Sequence, residues 1–135
     1  MRRRAAAERG VVFGGDIELF ARIRNEFPGN RVIAITGSNG KRTVTEMGGA
    51  MVRAAKVRAL IAGNIGLPIL QALTEVDAGT RRRPEVFVLE LASFQLKSTP
   101  TLNPVAAVVL NRRAVHVARY AVCRAHAKSE RRQCL

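Results

Sequence analysis

The 135 residues predict an α/β fold: a parallel sheet flanked by helices, of the type that carries a phosphate-binding loop. Three observations lead there. Four apolar runs, at 31–36, 57–62, 85–91 and 105–110, are each continuous rather than alternating in polarity, the pattern of strands buried on both faces of a parallel sheet. Helix-compatible segments separate them, as the crossovers between parallel strands require. The first run leads directly into GSNGK, a glycine-bearing turn that ends in a lysine.

Taken in order, Arg31–Thr36 (RVIAIT) is a short β-branched run closed by a glycine turn and reads as a buried strand. Arg42–Ala55 follows as a helix, with Val44, Met47, Gly48, Met51 and Val52 at helical spacing. Val57–Ala62 is the second strand, closed by GNIG at Gly63–Gly66. Leu67–Leu73 reads as a helix with Pro68 in its first turn, where a missing N–H is harmless. Asp77–Pro84 is a charged loop, Glu85–Leu91 (EVFVLEL) a third strand, and Val105–Leu110 a fourth, reached through a short segment holding Pro100 and Pro104. Beyond Asn111 the pattern fails, and the first dozen residues carry no assignment.

Apolar residues at 47% and charged residues at 24% describe a globular chain, long enough for one domain and its core. The net charge of +13 is concentrated in Arg2–Arg4 with Arg9, in Arg81–Arg83, and in the stretch from Arg112 onward, so the body between is close to neutral. Nucleic acid or membrane binding through these clusters is the minor reading, and aromatics at 4% leave few platforms for stacking bases. No stretch has the length of a signal peptide's apolar core or of a membrane span. Cys123 and Cys134 form neither a metal-binding pair nor a disulfide framework, and the bacterial cytoplasm is the expected location.

The chemistry gathers in the loops. Gly37 and Gly40 allow a sharp turn through Ser38 and Asn39 that aims backbone N–H groups inward, and a helix N-terminus follows whose dipole favours anions. Lys41 would reach the outer phosphates. The next residue in such loops carries a hydroxyl for magnesium, yet here it is Arg42, a bulky cation with no lone pair to donate. Thr43 lies one step further along, rotated by about 100° at ~3.6 residues per turn. GNIG, LELASFQL and VVLN close the other strands, and a parallel sheet collects such turns on one rim. Taken singly, Glu90 reads equally as a strand-end carboxylate paired to an arginine, and Asn64 as a turn cap. Together they make a rim of one lysine, one carboxylate and amides, which suits a magnesium–nucleotide site.

GDIELFARI, VIAITGSNGK with TVTEM one residue on, AGNIGLP, VFVLELASFQL and LNPVAAVVLN, in this order and spacing, closely resemble the Mur ligases. The likeness runs from about Gly15 to Asn111 and fades through Tyr120, and GDIELF and LELASFQL resemble the branch that adds D-glutamate. The resemblance implies an ATP-dependent amide-forming ligase acting on UDP-N-acetylmuramoyl-L-alanine and D-glutamate, by way of an acyl phosphate. It implies nucleotide binding by Gly37, Ser38, Asn39, Gly40, Lys41, Arg42 and Thr43, with Lys41 also catalytic. It implies magnesium binding by Glu90, with Thr43 as a lesser candidate, and substrate contacts from Asn64, Ser93 and Gln95. His116, in NRRAVHVARY, aligns with a histidine the family uses for metal and substrate, which would make it catalytic with Lys41, or is a solvated tail residue. Lys128 answers, at a spacing that is short, to a carbamylated lysine of the family.

The sequence departs from the family at Arg42, at Ala92, where a serine is usual, and around His116, whose acidic neighbours are replaced by Arg113–Val115 and Ala118. The expected organisation is a remnant of an N-terminal domain or linker over 1–14, a partial central ATP-binding domain over 15–120 and a basic tail over 121–135. Such a piece is not expected to complete the reaction alone. The alternatives are a non-catalytic truncated product and a basic nucleic-acid-binding fragment.

Overall fold

A computed structural model of the chain describes residues 14–24 and 30–111. His116, Lys128 and the expected terminal segments therefore lie outside the described residues, apart from Gly14. Within them are strands β1 (Arg31–Thr36), β2 (Ala59–Gly63), β3 (Val86–Glu90) and β4 (Ala106–Val109). The helices are α1 (Asp16–Arg24), α2 (Lys41–Ala54), α3 (Ile69–Asp77) and α4 (Ser93–Lys97). The strands form one sheet in the order β2-β3-β1-β4, and every pairing is parallel, as the continuous apolar runs predict.

Strand alternation divides the core into two layers. Val32 and Ala34 of β1, Leu60 and Ala62 of β2, and Phe87 and Leu89 of β3 pack against Ile17 and Phe20 of α1 and Ile69 and Ala72 of α3. On the opposite face, Ile35, Val86 and Val88 meet Val44 and Val52 of α2. β3 lies between β1 and β2 and is buried at every position. Phe20 and Phe87 meet edge-to-face, with ring centroids 4.8 Å apart.

Four expectations need correction. Met47 and Met51 do not belong to the buried stripe of α2, at 59% and 70% exposure. The stripe follows Val44, Thr45, Gly48, Gly49 and Val52, while the methionines sit roughly 90–130° round the helix from its centre, at ~100° per residue. β4 is not buried on both faces: all four of its residues are exposed, and among the described residues only β1 pairs with it. The second helix runs from Ile69 to Asp77, with Pro68 as its N-cap rather than inside the first turn. α1 and α4 were not expected at all, being nine and five residues long. α1 nevertheless has local logic: Asp16 and Glu18 in its first turn and Arg22 and Arg24 in its last complement the helix dipole.

Glu18 fastens α1 to the chain beyond α4. Its carboxylate, 1% exposed, takes a hydrogen bond from Arg22 Nε at 2.8 Å and two from Thr101, through the backbone N–H at 3.2 Å and Oγ1 at 3.0 Å. Burial pushes the carboxyl pKa up, but these bonds to the ionised form outweigh it and the net shift is downward. A lowered folded-state pKa contributes stability that is full above the unfolded value of about 4.5 and lost as pH falls through the folded value. Glu18→Gln is therefore expected to destabilise the chain by about 1–3 kcal/mol at pH 7, given the usual worth of hydrogen bonds to a charged group. In urea titrations the gap from the parent should narrow progressively below pH 4.5.

Candidate functional site

Parallel register brings the strand ends together. Glu90, the last residue of β3, is paired with Ile35 on one side and with Gly63 on the other. The turns after β1, β2, β3 and β4 thus share one rim, as expected from the sequence. Backbone contacts stitch them: Asn64 N–H donates to Glu90 O at 2.9 Å, Leu91 N–H to Ile35 O at 2.8 Å, and Ser38 N–H to Asn111 O at 3.2 Å. Gly63 has φ +110, and a Cβ there would fall on the Glu90 carbonyl oxygen, so only glycine allows the two strand ends to lie this close.

The loop after β1 is held by Asn111, a residue that the sequence reading marks only as the end of VVLN. Its Oδ1 accepts from Asn39 N–H at 2.8 Å and its Nδ2 donates to Asn39 O at 2.9 Å. Gly40 then takes a left-handed conformation, φ 78, and caps α2 with no side-chain hydrogen bond. The consequence is a row of open donors. Among the described residues, the backbone N–H groups of Gly40, Lys41, Arg42 and Thr43 meet no acceptor. These are the orphan amides of a helix N-terminus, and here they follow a turn shaped by two glycines.

Two cations stand at this positive end of the helix dipole, an arrangement that repels itself until an anion arrives. Lys41 Nζ folds back onto Gly37 O at 2.9 Å. Arg42 and Thr43 are exposed, and Arg42 makes no ion pair or hydrogen bond among the described residues. The next residue carrying a hydroxyl, Thr45, is buried, and its Oγ1 donates to Lys41 O at 2.8 Å.

Glu90 supplies the opposite charge. It is 3% exposed, Oε1 accepts from Asn64 Nδ2 at 3.3 Å, and Oε2 is buried without a partner. An ion pair with an arginine, one of its two readings from sequence, does not occur among the described residues. A buried carboxylate oxygen left unpaired is costly, and a hard cation is the partner that satisfies it. Glu90 therefore fits a magnesium ion, whereas Arg42 does not.

The amide of Gln95 is engaged within the fold. Its oxygen accepts from Ala92 N–H at 2.9 Å, and its Nε2 reaches Asp16 Oδ1 at 3.4 Å. This is half of a capping box around α4, because the N-cap residue Ala92 has no hydroxyl to return. Ser93, half-buried, opens the same helix, and Asn64 is exposed beside Glu90.

The fold and rim together define a phosphate-loop α/β domain. Residues 35–132 match the Mur ligase middle domain. The chain belongs to the Mur ligase family, through that domain. It is 48% identical, over 94% of its length, to the UDP-N-acetylmuramoylalanine–D-glutamate ligase of Thiobacillus denitrificans. Against the enzymes of the same name from Chromobacterium violaceum and Escherichia coli it is 51% and 47% identical, over 94% and 86% of the chain. It spans only 24–29% of the length of these three relatives.

Ala92 already has the extended N-cap conformation, φ −79 and ψ 152, that a capping hydroxyl uses. Ala92→Ser should complete the box and stabilise the chain by ~1 kcal/mol, read as a higher urea midpoint at unchanged slope.

Proposed function

We propose that this chain carries the ATP-binding part of a D-glutamate-adding ligase of peptidoglycan synthesis, over the segment 15–120. The relatives' names support the activity and the substrates UDP-N-acetylmuramoyl-L-alanine and D-glutamate, and a cytoplasmic setting is part of the same reading. No helix among the described residues is long and apolar enough to cross a membrane. The observation that carries the reading is the rim itself, along which lie four open amides, Lys41 and the unpartnered Glu90 oxygen.

In this reading Gly37–Gly40 wrap the phosphates of ATP, and the amides from Gly40 to Thr43 donate to them. Lys41 leaves Gly37 O and neutralises charge on the transferring phosphoryl group, the main form of help such chemistry needs. Glu90, oriented by Asn64, would hold magnesium, which supplies further charge neutralisation when bound. Asn64, Ser93 and Gln95 are assigned to the substrate side, and His116 and Lys128 to metal and substrate contacts. For Gln95 the assignment requires giving up at least its bond to Asp16.

Arg42 favours a second reading, in which the domain binds ATP through the phosphates alone and does not catalyse. Its charge lies where a metal-binding hydroxyl is expected, so it binds phosphate while competing with magnesium.

Calorimetric titration with ATP, with and without magnesium, tests both. Lys41→Ala should weaken ATP binding by about tenfold or more, the usual worth of a charge-assisted contact. Arg42→Ser should produce a gain in affinity on adding magnesium that exceeds the parent's by a similar factor. If neither variant alters ATP affinity, the loop is not the nucleotide site. A magnesium gain as large in the parent as in Arg42→Ser removes the second reading.

A further inference from the structure

The sheet has a second charged end. At the N-terminal rim of the strands, opposite the phosphate loop, lies an open cleft of about 660 Å³. Arg53, Lys56, Arg58, Arg81 and Arg82 line it, and among the described residues no acidic or aromatic side chain does. Strands of five or six residues separate the two rims by roughly 15–20 Å, at ~3.3 Å per residue, so the sites are distinct.

Two of the five cations are spoken for. Arg58 Nη1 pairs with Glu85 at 3.3 Å and Arg81 Nε with Glu75 at 2.7 Å. Arg53, Lys56 and Arg82 have no ion pair or side-chain hydrogen bond among the described residues. The negative C-terminus of α2 accounts for a cation in its last turn, Arg53, but not for Arg82, which arrives from a different loop.

Lys56 is the telling residue. α2 ends in a Schellman motif, in which Lys56 N–H bonds Arg53 O at 2.9 Å and Val57 N–H bonds Val52 O at 3.3 Å. Lys56 occupies the left-handed position of that motif, φ 63, where glycine is favoured. It is the one positive-φ residue other than glycine among those described. A strained backbone position occupied by a cation on the wall of a basic cleft points to use of that charge.

We propose that this cleft binds an oligophosphate through Arg53, Lys56 and Arg82. Three uncompensated cations match a short chain of phosphates, and a wall without aromatic rings offers nothing to stack a base, so phosphate charge is what is recognised. The site also gives a role to Arg82, from a basic loop that the ligase reading leaves unused.

The test uses the full chain carrying Lys41→Ala, which weakens the first phosphate site, titrated with inorganic tripolyphosphate without divalent cations. Arg53→Gln, Lys56→Asn and Arg82→Gln combined should weaken binding at least tenfold, asparagine being tolerated in the left-handed region. Lys56→Gly alone should weaken it severalfold while raising the urea midpoint, a pairing that a purely structural lysine would not give. Affinity within twofold of the parent in both variants overturns the proposal. So does an equal loss on replacing Arg2, Arg3 and Arg4 with glutamine, which would mean unspecific charge attraction. A ten-nucleotide single-stranded RNA that binds tenfold tighter and displaces tripolyphosphate would instead mark a nucleic-acid surface, and overturns it too.

Discussion

β3 ends in a charge that it buries. The strand is enclosed on both faces and paired on both edges, so Glu90 is delivered to the rim with little freedom of position. Of its neighbours in register, Ile35 stands two residues before Gly37 of the phosphate-loop turn, and Gly63 is the first residue of the GNIG turn. The glycine at position 63 allows the β2 end to close against Glu90, and Asn64 then donates to the carboxylate. The second carboxylate oxygen is left without a partner, and that vacancy in its hydrogen bonding distinguishes a site from a strand end. A fold that only needed stability would be better served by an apolar residue there, since an unpaired buried charge destabilises.

The loop facing Glu90 is ordered by contacts that do not consume its binding capacity. Asn111 clasps Asn39 and its backbone takes the Ser38 amide, which leaves the donors from Gly40 onward open. Positive charge is then stacked along the first turn of α2 by Lys41 and Arg42. In an isolated helix this is the unfavourable end for cations, and it becomes favourable when a multiply charged anion is present. In the reading proposed above, Arg42 would strengthen the attraction for phosphate and remove a ligand for the metal, which would separate anion binding from metal binding.

Much of this was legible in the sequence, and for identifiable reasons. Continuous apolar runs specify a parallel sheet because both faces must be covered, and the glycine turn after RVIAIT sets the phosphate loop. Parallel order alone places Glu90, Asn64 and Lys41 on one rim. What could not be read are effects of partnering. Met47 and Met51 fall within the apolar stripe by composition but lie outside the arc that the sheet covers. β4 has the composition of a core strand, yet all of it is exposed, because burial depends on neighbours and not on composition. α1 and α4 are too short for periodicity to reveal, being secured by long-range bonds such as Glu18 with Thr101 and Gln95 with Asp16. Asn111 stands seventy-two residues from Asn39, so its clasp has no local signal. Lys56 is likewise silent, since nothing in AAKVR marks the lysine as the left-handed residue of a helix end.

The central claim is that the unpartnered Glu90 oxygen is a cation ligand across from a phosphate loop. Anomalous diffraction from crystals of the Arg42→Ser chain grown with ATP and manganese tests it most directly. The account predicts an anomalous peak within coordinating distance of Glu90 Oε2, with the phosphates of ATP on the amides of Gly40–Thr43. Phosphates bound on those amides with Lys41 or another protein cation paired to Glu90, and no metal beside it, would contradict it.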